Sequence, residues 1–339
     1  MKLSLVVPDE VDRPTGGNVY DLRLAAALTA LGVEVEIVRA SQTDLDSSAA
    51  RAASGGGLVL IDGLLASDRP EVVRASRAGV LLHMPLAWRD PSAARVEAET
   101  VRAAATVIVT SNWTARFVRE AYAVEPVVMP PGVDPAPVEP GSNPPLIVQV
   151  ATLAPHKDQL AVVRALAQVR DLPWRARLVG SPHADPAYAA QVTGLVADLD
   201  LTERIGLVGE LSREAAFAGA DLVLLPSRVE ALGMVVLEGL ARGLPAIVSA
   251  GGPQEALGRT GSGEVPGVVL GLMLGETTLT DALRRWLTDA EHRADLRRIA
   301  SVRLGELTGW AVTAERLLGE LSAELSRSGR DPAWPSGAP

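Results

Sequence analysis

Short, unbroken apolar runs recur along this chain, and several are followed by stretches whose apolar positions repeat every 3.6 residues. Residues 2–8 (KLSLVVP), 33–39, 58–63, 80–85, 106–111 and 126–130 read as strands, with helical patterns at 19–31 and 113–122. Strands that are apolar on both faces and separated by helices specify a parallel sheet covered on each side. At 130–145 the pattern stops. Seven of those sixteen residues are proline, so neither a helix nor an inner strand can pass through.

The alternation then restarts. Strands are expected at 146–152, 175–180, 204–208, 221–226 and 245–250, with helices at 157–169, 186–199, 212–218 and 234–242. Further helices are expected at 279–288, 291–300 and 309–326. The chain thus divides into a first domain, 1–140, and a second, 141–308, with the helix at about 309–326 returning to the first and a disordered tail over 327–339. Two Rossmann-like, doubly wound domains of this kind would bind a ligand in the cleft between them, at the carboxyl ends of the strands.

Composition narrows the chemistry. The 339 residues contain no cysteine, which excludes a disulfide scaffold, a thiolate metal site and a cysteine nucleophile. A net charge of −9 argues against nucleic acid as a partner. No apolar run reaches the ~18 residues needed to cross a bilayer, and no signal-peptide pattern opens the chain. A cytoplasmic protein, with at most peripheral membrane contact, is expected. Only two of the 32 basic residues are lysine, Lys2 and Lys157, so an internal lysine stands out against an arginine background.

The segment 226–255, PSRVEALGMVVLEGLARGLPAIVSAGGPQE, concentrates the signals. A strand ends at Pro226, a loop carries Glu230 and Gly233, and a helix begins near Met234. The first-turn amides of a helix favour an anion such as a diphosphate. The helix is apolar almost all round, so Glu238 on it needs a partner. The hydroxyls of a ribose would serve, as would the backbone or an arginine.

These residues resemble the retaining GT-B glycosyltransferases of family four. The hallmark is two glutamates separated by seven residues after a Pro-Ser strand end, here Glu230 and Glu238 after Pro226 and Ser227. The resemblance implies that Glu230 holds donor-sugar hydroxyls, that Glu238 holds the nucleotide ribose, and that Leu232, Gly233 and Met234 contact sugar and phosphate. A second match, VATLAPHKDQL (150–160), implies that Lys157 reaches the donor phosphates, the charge-balancing role a metal plays elsewhere. Where many relatives have an arginine five residues earlier, this chain has Thr152, and His156 is the residue that would compensate. RLVGS (177–181) and IGLVGELS (205–212) resemble the base-pocket segments, which assigns Gly180, Gly209, Glu210 and Leu211 to the donor. Gly17, in Thr15-Gly16-Gly17-Asn18, is implied near donor phosphate, and His83 beside the donor sugar. Asn18, Tyr20 and Asn112 are the acceptor-side assignments.

The implied activity is transfer of a sugar from a nucleotide diphosphate sugar, with UDP expected before GDP, to a small-molecule, natural-product or lipid acceptor. No cofactor and no metal are expected. The DLD triplets at Asp44–Asp46 and Asp198–Asp200 lie in a loop and at a helix terminus, and His83, His156, His183 and His292 show no ligand spacing. A GT-B epimerase or phosphorylase, and a degenerate homologue that only binds a nucleotide or a partner, are the alternatives.

Overall fold

The computed structural model describes residues 1–271 and 276–327. They form two compact units: Met1–Gly132 together with the segment from Thr308 onward, and Val133–Leu307.

The first unit is built on β1 (Lys2–Pro8), β2 (Glu34–Ala40), β3 (Leu58–Asp62), β4 (Gly79–Leu82), β5 (Val107–Val109) and β6 (Val127–Val128). All pair in parallel, in the order β2-β1-β3-β4-β5-β6. Val6, Ile61, Val80 and Val109 fill one continuous core with the helices that cover them. The chain leaves β1 for the edge strand β2 and then returns to the other side as β3. Connections therefore diverge at β1 and β3, the point where a doubly wound sheet opens a crevice. Helix Gly16–Ala30 follows β1, Asp62 ends β3, and His83 lies one residue past β4. Helix Trp310–Arg327 belongs to this unit. Trp310 meets Tyr20 edge-on at 5.3 Å, and Thr313 donates to the Pro130 carbonyl at 3.0 Å. The approach requires glycine at 132, where a Cβ would fall 2.2 Å from the Trp310 nitrogen.

The second unit is built on β7 (Leu146–Val150), β8 (Arg175–Val179), β9 (Ile205–Leu207), β10 (Leu222–Leu225), β11 (Ala246–Ser249) and β12 (Gly267–Leu270). The order is β12-β11-β10-β7-β8-β9, again parallel throughout, with the switch point between β7 and β10.

Several expectations need correction. β12 was not expected: its run GVVL is framed by glycine and proline, which reads as loop until Ala246 and Ser249 of β11 pair with it. The triplet at Asp44–Asp46 is the start of helix Leu45–Ser54, with Asp44 at its N-cap. The helix expected over 234–242 stops at Leu240, because the chain turns through Gly243 at φ 69°. The boundary expected at 140 falls at 132, since Glu139 is tied into the second unit. Its carboxylate accepts from the Gly219 amide at 2.8 Å and its own amide donates to Arg242 at 3.0 Å. Apart from Arg327, the expected tail at 327–339 lies outside the described residues. No helix among the described residues is long and apolar enough to cross a membrane.

Candidate functional site

In the second unit, β7 and β10 flank the switch point, and the loops leaving their carboxyl ends carry Lys157 and Glu230. The two side chains pair, Nζ on Oε2, with 18% and 14% of their side-chain surface exposed. Backbone contacts fix where Lys157 stands. Gln149 of β7 donates to the Lys157 carbonyl at 2.8 Å, and Asp158 beside it takes the Arg228 guanidinium at 2.7 and 3.0 Å. Arg228 also donates its amide to the His156 carbonyl at 2.8 Å, so the loops after β7 and β10 are stitched together on both sides of the pair. The Ser227 hydroxyl lies 3.5 Å from the same Glu230 oxygen.

Glu238 is buried on the short helix Met234–Leu240, and its carboxylate pairs with Arg213 at the start of helix Arg213–Phe217. Of the partners open to it in the sequence, an arginine is the one present. Leu232 is buried and Gly233 sits at φ 89°, where a Cβ would meet Leu225 at 2.4 Å. That position therefore admits only glycine, and it sets the turn from which Met234 begins the helix. Gly252 packs against the same loop, with a Cβ there only 2.2 Å from the Ala231 carbonyl. The AGGPQE segment thus braces the backbone that carries Glu230.

Thr152, Gly180, Gly209, Glu210 and Leu211, the other residues expected on the donor side, lie in the loops after β7, β8 and β9. The Thr152 carbonyl accepts from Gln159 at 3.0 Å. Gly180 closes on the Ala151 carbonyl after β8, Gly209 turns at φ 69°, and Glu210 and Leu211 stand exposed beyond β9.

The first unit brings together three groups that lie far apart in sequence. His83 Nε2 is 2.8 Å from Asp21 Oδ1 and 3.9 Å from Asp62 Oδ2, and one ligand atom from each residue falls within 4.8 Å of the others. Asp21 is fully buried, Asp62 is 2% exposed, and Asp21 Oδ2 has no hydrogen-bond partner. Burial, and then the negative charge of Asp21, push the Asp62 carboxyl up to about 7. Burial alone would lower the His83 pKa, but the charge and hydrogen bond of Asp21 outweigh it and hold the imidazole at about 9. Gly17 lies flat against the His83 ring, where a Cβ would stand 3.0 Å from Cδ2.

Asn18 and Tyr20 are committed inside this unit. The Asn18 amide donates to the Glu10 and Arg13 carbonyls at 2.9 and 3.0 Å, and the Tyr20 hydroxyl donates to Met129 at 2.9 Å. Asn18 thus ties the start of the helix to the loop before it, and Tyr20 ties the helix to the chain just past β6. Asn112 opens the helix after β5. Asp21, Asp62 and Arg213 escaped the sequence reading. The one available signal was Asp21, an acid among Tyr20, Leu24 and Leu28 on the buried side of its helix.

Residues 134–303 match the family model described as glycosyl transferases group 1. A D-inositol 3-phosphate glycosyltransferase from Kineococcus radiotolerans is 31% identical over 252 residues, covering 66% of this chain and 58% of that protein. The namesake from Stackebrandtia nassauensis is 30% identical over 303 residues, covering 79% and 67%. The match thus spans less than two thirds of the first relative's length. Among solved structures, a sucrose-phosphate synthase from Thermosynechococcus elongatus superposes with a TM-score of 0.78 at 20% identity, over 97% of this chain and 100% of that one. HepE of Anabaena, in complex with UDP-glucose, superposes with a TM-score of 0.76 at 17% identity, over 94% and 99%. Two six-stranded parallel sheets in this arrangement are the GT-B fold.

Proposed function

Because the chain belongs to the group 1 glycosyl transferases, we propose that it moves a sugar from a nucleotide diphosphate sugar to an acceptor hydroxyl. The observation that carries this reading is the Lys157–Glu230 pair at the switch point of the second sheet. A cation and an anion in contact there can be parted by one ligand that brings a negative diphosphate for the lysine and hydroxyl donors for the glutamate. A nucleotide diphosphate sugar has both. Glu238 would release Arg213 and take ribose hydroxyls instead. HepE of Anabaena was solved with UDP-glucose, which favours a UDP-sugar as the donor to test first.

In this reading the acceptor oxygen forms a bond to the anomeric carbon as the bond from that carbon to the diphosphate oxygen breaks. Attack on the face the leaving group departs from retains configuration, and the acceptor proton passes to the departing phosphate. Lys157 stabilises the charge that develops there, which a metal need not then supply. Fixed charge of this kind acts without reorganisation, and the stitching by Gln149, Asp158 and Arg228 provides it. The acceptor class, small-molecule or lipid, rests on the resemblance. The names of the curated relatives favour a phosphorylated polyol among the first acceptors to try.

Calorimetric titration with UDP, GDP, ADP and dTDP, without added metal, tests the proposal. One diphosphate should bind selectively, and binding should weaken in Lys157→Ala. A folded protein that binds none of the four would defeat it.

A further inference from the structure

Asp21, Asp62 and His83 form a closed set of hydrogen-bonding needs. Asp62 Oδ1 is occupied, since it accepts the Leu64 amide at 2.7 Å and caps the short helix Gly63–Ala66. Its other oxygen, Oδ2, is the one near His83, at 3.9 Å. Asp21 Oδ1 takes the His83 ring nitrogen at 2.8 Å, and Asp21 Oδ2 is buried with nothing donating to it. A buried carboxylate oxygen without a donor is costly. The group beside it that can supply a donor is Asp62, by carrying a proton on Oδ2. Two protons then serve three residues, one between the carboxyls and one at His83 Nε2, and the cluster is neutral overall when the imidazole is also protonated at Nδ1.

We propose that Asp21 and Asp62 are positioning residues that hold His83 as an imidazolium, with Nε2–H on Asp21 and Nδ1–H as a fixed donor toward a bound ligand oxygen. The ring's geometry supports this. Nε2 is its only hydrogen-bonded atom among the described residues, and Nδ1 lies across the ring from it. Gly17 on one side and Tyr20, edge-on at 5.1 Å, restrict its rotation. The titratable groups facing His83 are Asp21 and Tyr20 from helix Gly16–Ala30 and Asp62 from β3. Tyr20 has its hydroxyl on Met129 and is held neutral by burial, so the carboxyls set the charge. The elevated pKa of His83, at about 9, and that of Asp62, at about 7, agree with this distribution of protons below pH 7, and above it the ionised Asp62 adds to the charge that keeps His83 protonated. An oxygen-recognising imidazolium beside Gly17 fits a sugar hydroxyl or a phosphate oxygen of the substrates named above. The ligand assignment rests on the transferase reading, whereas the charge state of His83 does not.

The test is a titration of the four histidines of the whole protein by two-dimensional NMR, with His83→Gln used to assign the resonance. His83 should titrate above pH 8. In Asp21→Asn its midpoint should fall to the ordinary ~6.5 or below, which reduces the imidazolium fraction at pH 8 about thirtyfold. Asp62→Asn should lower it less than Asp21→Asn does, because Asp62 acts on the ring only as a charge 3.9 Å away, whereas Asp21 holds the ring nitrogen in a hydrogen bond at 2.8 Å. Once a donor is known, the transfer rate should be level from pH 6 to 8 in the parent protein and fall across that range in Asp21→Asn. A parent His83 midpoint near 6.5, a midpoint unmoved by Asp21→Asn, or stoichiometric Zn²⁺ uptake lost in His83→Gln would overturn the proposal. None of the NMR results depends on a substrate, so failure of the transferase reading would leave them standing.

Discussion

The ammonium of Lys157 rests on a carboxylate oxygen of Glu230, 73 positions further along the chain and on the loop after the neighbouring strand. Both are more than four-fifths covered, where an unpaired charge would cost several kcal/mol. The pair is therefore a stable resting arrangement, and a ligand that separates it must replace both partners. On the proposed function, this requirement would favour a molecule that is anionic at one end and rich in hydroxyls at the other.

Lys157→Ala should weaken binding of the preferred nucleoside diphosphate roughly tenfold or more, about 1.4 kcal/mol, while the free nucleoside loses less than about twofold. Paired calorimetric titrations separate the two, and equal losses would take Lys157 off the phosphates. Glu230→Ala should fold and still bind the diphosphate, yet lose on the order of a hundredfold in transfer, as expected when a group acting on the reacting sugar is removed.

Arg213 sets a second expectation. It neutralises Glu238, whose side chain is 12% exposed. Arg213→Ala leaves that carboxylate buried and unpaired, at a cost of about 1–3 kcal/mol, and should lower the melting temperature by several degrees. If ribose hydroxyls replace the arginine, the diphosphate should raise the melting temperature of this variant more than that of the parent. Equal increments in thermal melts would mean that the nucleotide does not reach Glu238.

How far the sequence carried this site can be argued residue by residue. The strands of both sheets were legible because parallel strands buried on two faces must be apolar throughout, as in KLSLVVP and DLVLLP. Glu230, Glu238 and Lys157 were legible because one motif holds the glutamates and the scarcity of lysine marks the third. Asp21, Asp62 and His83 were not legible as a set. Nothing in the spacing of an acid on a helix, an acid at a strand end and a histidine after the next strand connects them. The order β1-β3-β4 does. Arg213 was hidden for the same reason, as a charged residue opening a short helix whose sequence does not point to Glu238. β12 was missed because its identity comes from pairing with β11, which a local pattern does not contain.

The cluster in the first unit makes stability depend on pH in a stated direction. His83 has a folded pKa of about 9, above its ordinary 6.5, so folding favours its proton. Its contribution is complete below pH 6.5 and is lost as pH rises through 9. The Asp62 carboxyl, at about 7 against an ordinary 3.8, also folds protonated, so it too destabilises the fold as pH climbs through 7. The slopes have the same sign. Thermal melts should show a steady fall in stability from pH 6 to pH 9. His83→Gln should flatten the alkaline part of that slope, and Asp62→Asn the part below about pH 7. A parent protein equally stable at pH 6 and pH 9 would contradict both assignments.

The loop that follows His83 is fixed by a different carboxylate. Glu97 is fully buried, and it accepts the Leu86 amide at 2.7 Å, the Ala87 amide at 3.0 Å and the Tyr122 hydroxyl at 2.5 Å. Two backbone donors and a phenol thus converge on one side chain, and the turn at residues 85–88 has its first amides satisfied only by reaching across to helix Ala94–Ala103. Glu97→Ala would leave all three donors without their acceptor, at a cost of about 3–5 kcal/mol. Glu97→Gln keeps one acceptor oxygen and should lose about half of that. Chemical denaturation of the two variants checks the ordering, with midpoints falling as parent, glutamine, alanine and with the slopes unchanged. Since the turn begins two residues past His83, hydrogen exchange at Leu86 and Ala87 should accelerate in the same order. Exchange left unchanged in Glu97→Ala would show that the strand, not the carboxylate, holds the loop.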